Sequence, residues 1–312
     1  MYLYSCIKIN KYIIIMTILV TGGSGLVGSA LKKITNIADN KFIFLSSKMC
    51  DLTDINDTKS CFEKYKPTYV IHLAAIAYGA TSSSDDQYNS LINNSKINLN
   101  VFECCSLYKV KKIIACLSIV LSHDDTTFNI DSINQGPLLN GQFHQGYSHS
   151  KRLLHNLSVA YQNAKKGSVI LLTPVNIYGY EDLYTSNRLI PSLLKQVKNK
   201  EICLAENSKR QLLYNIDFAN IIYNFINLDD SEFTQHSLYP FIIGNPDILT
   251  IKKMVDIIAN KHNINSKDLI FNEENNFSKL GEISTLPFKF NYTSFNDSIN
   301  EIFQLISLEK SS

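Results

Sequence analysis

Short apolar runs separated by stretches of helical periodicity set the rhythm of the first 175 residues. The runs are Ile18 to Val20, Phe42 to Leu45, Tyr69 to Leu73, Ile113 to Leu117 and Val169 to Leu172. Each is near-continuously apolar, as in strands covered on both faces. Between them, Leu26 to Ile34, Asp57 to Tyr65, Leu91 to Tyr108 and Tyr147 to Gln162 carry apolar residues at helical spacing. This alternation predicts an α/β protein, a Rossmann-like doubly wound parallel sheet. The first strand is expected to run over Tyr12 to Thr21. Beyond Pro174 the pattern loosens into turn-rich pieces, which predicts a smaller C-terminal substrate-binding α/β domain. There Thr250, followed by Ile251, Met254, Val255, Ile258 and Ala259, predicts an amphipathic helix with a hydroxyl N-cap. The polar stretch Glu273 to Ser284 has no clear period and receives no element. The expected division is a dinucleotide domain of 16–172 plus about 212–243, and a substrate domain of about 173–211 plus 244–312. Because Met16 directly precedes the first strand's core, residues 1–15 are expected to be an N-terminal extension.

The first apolar run leads into Gly22-Gly23-Ser24-Gly25-Leu26-Val27-Gly28. Glycines 22, 25 and 28 let the backbone turn, approach a pyrophosphate and pack helix on strand, while the helix N-terminus at Leu26 and Val27 presents N–H groups to phosphate. A dinucleotide site is predicted. The second strand is followed by Ser46-Ser47-Lys48 in place of an acidic residue, so Ser47 and Lys48 suit the 2′-phosphate of NADPH. Asp51 is a candidate for the adenine, Leu73-Ala74-Ala75 for a small-residue platform under the dinucleotide, and Pro174 for a further cofactor contact.

Composition adds bounds. The 312 residues are 45% apolar and 19% charged, with 30 basic and 28 acidic residues and a net charge of +2. No charge block suggests nucleic acid or an anionic membrane, and no apolar run reaches the ~18 residues of a membrane span. A small-molecule partner is expected. Seven cysteines, without a Cys-x-x-Cys pair or a zinc-like cluster, fit a reducing cytoplasm with no metal site.

Beyond the glycine loop, Tyr-x-x-x-Lys occurs three times, as Tyr108/Lys112, Tyr147/Lys151 and Tyr161/Lys165. Only Tyr147 follows a long loop and opens a helix, with Ser118 ending the preceding apolar run. One helical turn puts Tyr147 and Lys151 on one face. Lys151 beside the phenol stabilises a tyrosinate, so Tyr147 can protonate an alkoxide as hydride arrives, while Ser118 donates a hydrogen bond to the same oxygen. Lys151 is also expected to hold the nicotinamide ribose. Ser118, Tyr147 and Lys151 are the candidate catalytic residues.

With these residues in view, the chain resembles the extended short-chain dehydrogenases and, among them, the GDP-L-fucose synthase family. The resemblance runs from Thr17 to about Thr250 and is carried by ILVTGGSGLVGSAL, SSKMCDLTD, YVIHLAA, ACLS, TTFNID, GYSHSKR, PVNIYG, LIPSL and KRQLLYNID. It implies NADPH-dependent reduction of the carbon 4 ketone of a GDP-linked sugar by a homodimer. It also implies substrate contacts from Ser118, Asn176, Arg188 and Arg210, the last matching an arginine that binds the diphosphate. Two departures matter. The family's cysteine two residues after the serine is Val120 here, and its histidine before the Leu-Ile-Pro stretch is Arg188. Neither valine nor arginine moves protons beside a ketone, so 3,5-epimerisation is expected to be lost while reduction survives. Cys116, His123, His144 and His149 are the side chains that could supply a relocated pair, but are read as core, loop and helix-surface residues. Relatives that reduce GDP-linked 4-keto heptoses after separate epimerases divide labour in the same way. A full 3,5-epimerase/4-reductase with substituted acids, a uridine- or thymidine-linked substrate, and a non-catalytic NADP-binding protein remain alternatives.

Overall fold

The computed structural model describes residues 16–35, 41–78, 83–122, 127–136, 145–183 and 188–309. Its first half reads β1 (Ile18–Thr21), α1 (Leu26–Ile34), β2 (Phe42–Phe44), α2 (Ile55–Tyr65), β3 (Tyr69–His72), α3 (Ser84–Leu107), β4 (Lys112–Cys116), β5 (Thr127–Phe128), α4 (Ile130–Gln135), α5 (Gln145–Asn163) and β6 (Ser168–Pro174). The second half is β7 (Asn176–Tyr178), α6 (Leu189–Asn199), β8 (Glu201–Ile202), β9 (Lys209–Arg210), β10 (Leu212–Tyr214), α7 (Asn215–Ile226), α8 (Asp230–Gln235), β11 (Pro240–Ile243), β12 (Leu249–Thr250), α9 (Ile251–Lys261), β13 (Ile270–Phe271), β14 (Leu280–Gly281) and α10 (Phe295–Glu309).

Six parallel strands form one sheet in the order β2-β1-β3-β4-β6-β11. β1, β3 and β4 are buried at every position, which is why their sequences show continuous apolar runs. Helix α1 packs along α7, and α3 along α5, so the sheet is sandwiched as the alternation predicts. The chain leaves β1 towards β2 on one side and returns to β3 on the other. The crevice above this reversal, at the carboxyl ends of β1 and β3, is where an open α/β sheet binds ligands. A second apolar core gathers residues of α6, α9 and α10 with the short pairs β7–β10, β8–β13 and β9–β12. In α9 the Thr250 hydroxyl accepts the Lys253 N–H at 3.1 Å, the expected N-cap.

Three boundaries differ from the sequence reading. Helix α3 starts at Ser84 rather than Leu91, because a reciprocal capping box between Ser83 and Asp86 secures a polar first turn that has no apolar signature. β1 begins at Ile18; the earlier part of the expected strand, up to Ile15, and the extension 1–15 lie outside the described residues. The unassigned tail is anchored by serine hydroxyls and a short strand pair. Phe277 N–H donates to Ser208 Oγ, Lys209 N–H to Ser278 Oγ, and β14 pairs with β5. Ile283, Leu286, Phe288, Phe290 and Tyr292 then pack against the larger core.

Candidate active site

The glycine loop crosses the carboxyl end of β1. Gly22 takes φ +70°, and a Cβ there would lie 2.8 Å from the Ala74 nitrogen, so the loop and the Leu73–Ala75 platform touch backbone to backbone. A Cβ on Gly28 would strike the Gly22 carbonyl and Gly23, which forces helix α1 against the turn. Helix α1 starts at Gly25 with no side-chain cap and no acidic residue in its first turn. The N–H groups of Leu26 and Val27 and the positive end of the helix dipole are thus left to a ligand anion. The cradle fits a dinucleotide pyrophosphate. After β2, Ser47 and Lys48 stand exposed on a turn. Asp51 turns one carboxylate oxygen back to the Thr53 hydroxyl (2.7 Å) and N–H (2.9 Å), and these two bonds hold its carboxyl below the ordinary range.

Ser118 and Pro174 each lie two residues beyond the paired positions Cys116 and Leu172, so both emerge at the same sheet edge. Ser118 is half-buried and caps a single helical turn over residues 119–121, its Oγ accepting the Val120 N–H at 3.4 Å. Helix α5 packs on that turn. Its first turns carry Tyr147 and Lys151, and the Lys151 ammonium sits 5.5 Å from the centre of the Tyr147 ring. Lys151 is 4% exposed and donates to the Cys116 carbonyl at 2.6 Å, tying α5 to the strand that leads into Ser118. The next residue, Arg152, donates to the Ile133 and Asn134 carbonyls, each at 2.8 Å, and so clamps the end of α4.

The other two Tyr/Lys pairs have structural partners. Tyr161 is buried and donates to the Val110 carbonyl at 2.8 Å, and burial pushes its phenol above the ordinary value. Tyr108 caps α3, whereas Lys112 lies in β4 with its ammonium on the Leu228 carbonyl and the Asp230 carboxylate. Among the residues considered as relocated proton carriers, Cys116 is buried and donates to its neighbour's carbonyl, and burial raises its thiol. His149 is two residues from Tyr147, which directs it to the far side of α5. His123 and His144 lie outside the described residues.

Asn176 opens β7, exposed, opposite Leu212 of β10, which follows Arg210 by two residues in the chain. The Arg210 guanidinium donates to the Lys209 carbonyl at 2.8 Å and to the Phe277 carbonyl, and lies over the Phe277 ring. Arg188 caps α6 and meets the Asp182 carboxylate at 3.9 Å. The sequence reading missed Lys279. A backbone bridge sets it directly against Arg210, so two cationic residues are adjacent. The nearby Ser-Lys-Leu, buried in an aperiodic tail, carried no signal of this. No cluster of metal-ligating residues occurs among the described residues.

Residues 18–238 match the family model described as NAD dependent epimerase/dehydratase family. A GDP-L-fucose synthase of Dictyostelium discoideum is 33% identical over 269 residues, 82% of each chain. The structure of a GDP-L-fucose synthetase from Naegleria fowleri bound to NADP superposes with a TM-score of 0.81 at 25% identity, covering 95% of this chain and 94% of that one. MlghC, the GDP-mannoheptose C4 reductase of Campylobacter jejuni with NADP bound, shares the fold at a TM-score of 0.80 and 19% identity, over 94% and 98% of the two chains. The match over most of the chain decides the question: this chain belongs to the NAD dependent epimerase/dehydratase family, an extended short-chain dehydrogenase fold, among the homologues of GDP-L-fucose synthase.

Proposed function

We propose that the protein reduces the carbon 4 ketone of a GDP-linked 4-keto sugar with NADPH and does not epimerise carbons 3 and 5. The observation that carries this reading is the Lys151 ammonium, buried against the Tyr147 ring and bonded to the strand end that leads into Ser118. NADPH, when bound, supplies the hydride to carbon 4. Tyr147 Oη gives its proton to the carbonyl oxygen as that oxygen gains charge. The Lys151 ammonium, held close to the phenol, stabilises the tyrosinate left behind. Ser118 Oγ donates a hydrogen bond to the same oxygen and fixes its position.

Epimerisation asks for more. A side chain must remove a proton from carbon 3 or 5 beside the ketone, and another must return one to the opposite face. Val120 has no titratable group, and the guanidinium of Arg188 is a donor with no acceptor site to take a proton from carbon. Cys116 is buried with a raised thiol.

The cradle of Gly22, Gly25, Leu26, Val27 and Gly28 holds the pyrophosphate, with Leu73, Ala74, Ala75 and Pro174 along the dinucleotide, Asp51 near the adenine, and Ser47 and Lys48 on the 2′-phosphate. NADP is bound to the Naegleria fowleri relative, in keeping with this choice. A Lys48→Glu variant is expected to raise the Kd for NADPH by roughly ten-fold and leave NADH little changed, since a charge-assisted phosphate bond is replaced by repulsion. Equal losses for both cofactors in a fluorescence titration would remove Lys48 from this role.

Arg210 and Lys279 hold the nucleotide diphosphate, and Asn176 and Arg188 line the sugar side. Arg210→Ala is expected to raise KM for the GDP-sugar roughly 10- to 100-fold, the worth of a charge-assisted bond of about 1.5–3 kcal/mol, with kcat little changed. An unchanged KM would place the diphosphate elsewhere.

The homodimer forms through α3. Tyr88, Ile92 and Leu99 stand on one face of α3 and are 66%, 38% and 47% exposed, a stripe of apolar side chains on a helix otherwise rich in polar residues. A monomer in sedimentation equilibrium at micromolar concentration would contradict this. The enzyme works in a reducing compartment such as the cytoplasm, in line with the free thiols of Cys50, Cys61, Cys104, Cys105, Cys116 and Cys203. Among the described residues no helix is long and apolar enough to cross a membrane. A panel of GDP-, UDP- and dTDP-linked 4-keto sugars, assayed by NADPH consumption, tests the reading; turnover confined to UDP or dTDP sugars would reject the GDP assignment.

A further inference from the structure

His72 is the last residue of β3, directly before the Leu73–Ala75 platform, and its side chain is 1% exposed. Its Nδ1 lies 2.8 Å from Thr21 Oγ1 and its Nε2 lies 3.0 Å from Asn98 Oδ1. Asn98, buried on α3, donates through Nδ2 to the Ser150 carbonyl at 3.0 Å. At the other end, the Ala74 N–H donates to Thr21 Oγ1 at 3.2 Å.

The two ends dictate the direction of every proton between them. The Ser150 carbonyl can only accept, so the Asn98 amide must face it with its nitrogen and offer its oxygen to His72. That oxygen needs a donor, which puts the imidazole proton on Nε2 and leaves Nδ1 as an acceptor. Thr21 therefore donates its hydroxyl proton to Nδ1 while an oxygen lone pair takes the Ala74 N–H. A single directed chain results: Ala74, Thr21, His72, Asn98, Ser150. It works only with a neutral imidazole. Burial supplies that condition, pulling the His72 pKa down to about 4, and the nearby Lys151 charge acts in the same direction, against the Asn98 bond.

The chain joins the two bodies whose relative position hydride transfer depends on. Ala74 touches Gly22 in the dinucleotide cradle. Ser150 precedes Lys151 in the chain, and its hydroxyl donates to the Tyr147 carbonyl at 2.7 Å. The first turns of helix α5 are held by contacts such as the Lys151–Cys116 bond and the Asn98–Ser150 bond.

We propose that His72 and Asn98 are positioning residues for Tyr147 and Lys151, a neutral imidazole–amide relay that holds the catalytic turn in register with the dinucleotide platform. The proposal rests on the reading that Tyr147 and Lys151 carry the reduction. Neither His72 nor Asn98 touches substrate or cofactor; loss of the relay misplaces the proton donor relative to the hydride.

The test compares Asn98→Leu, His72→Leu and His72→Gln with the wild type and Tyr147→Phe, using a GDP-4-keto sugar with NADPH or its 4-deuterated form. The leucine variants are expected to lower kcat by roughly 10- to 100-fold, the effect of an ångström-scale misplacement, with KM for the nucleotide sugar held within about two-fold. The primary isotope effect on kcat should rise as hydride transfer becomes limiting. Glutamine donates and accepts as the neutral imidazole does, so His72→Gln should recover most of kcat. A folded Asn98→Leu enzyme with wild-type kcat and isotope effect would overturn the relay, as would a His72→Gln enzyme as slow as His72→Leu. If Asn98→Leu does not fold, the His72 pair decides alone. If Tyr147→Phe is inactive while the leucine variants match wild type, only the relay fails. If Tyr147→Phe matches wild type, the reduction reading fails and the relay falls with it.

Discussion

Tyr147→Phe is expected to abolish most NADPH oxidation while leaving both ligands bound. General acid catalysis by a positioned side chain contributes about 10²- to 10⁴-fold, and kcat should fall within that range. The Tyr147 ring lies 5.5 Å from the buried Lys151 ammonium, whereas the phenols of Tyr161 and Tyr178 serve carbonyl or hydroxyl partners within the fold. Removing one oxygen from a half-exposed side chain leaves no buried donor stranded, so stability should change by no more than about 0.5 kcal/mol. Stopped-flow fluorescence of NADPH checks binding and turnover together. Loss of NADPH affinity in proportion to kcat would mean that Tyr147 holds cofactor and does not move the proton.

Gly22→Val should produce the largest loss of cofactor binding. A non-glycine residue held at φ +70° costs about 1–3 kcal/mol, and a β-branched one is worst placed to adopt it. The new Cβ would also meet the Ala74 nitrogen at 2.8 Å and the Leu73 carbonyl carbon at 3.0 Å, so the loop must lift from the platform. NADPH Kd is expected to rise by at least about ten-fold, and Tm to fall by several degrees, at about 2–4 °C per kcal/mol in a domain of this size. Gly25→Ala is the informative contrast. Gly25 has φ −81°, and its added Cβ would meet only the Gly22 carbonyl oxygen, at 3.4 Å. Stability should survive there. A wild-type NADPH Kd in folded Gly22→Val would remove the loop from the cofactor site.

The parallel sheet was legible because strands buried on both faces must be apolar throughout; Ile18–Val20, Tyr69–Ile71 and Ile113–Ala115 leave little room for another reading. Helix α1 was legible because a glycine turn and an amphipathic stretch meet at Leu26. The start of α3 was not, since Ser83 and Asp86 secure it through hydrogen bonds that leave no hydrophobic trace. Lys279 escaped notice for a similar reason. Its place beside Arg210 comes from backbone pairing between segments distant in sequence, with nothing local to announce it. His72 and Asn98 sit in stretches that read as strand end and helix. Their polar faces acquire meaning only when β1, β3, α3 and α5 are brought together. Choosing Tyr147 among three Tyr/Lys pairs depended on where elements begin and end. The structure gives Tyr161 and Lys112 to carbonyls and carboxylates within the fold and pairs Tyr147 with Lys151.

Reduction without epimerisation is the activity proposed for this enzyme. Incubating the enzyme with NADPH and GDP-4-keto-6-deoxymannose in D₂O, with an enzyme-free control, and reading the product by NMR tests it directly. Stoichiometric NADPH oxidation with hydride at carbon 4 and no deuterium at carbons 3 and 5 beyond the control is the expected result. Deuterium at either carbon, dependent on enzyme, would contradict it and return full 3,5-epimerase/4-reductase activity to this chain.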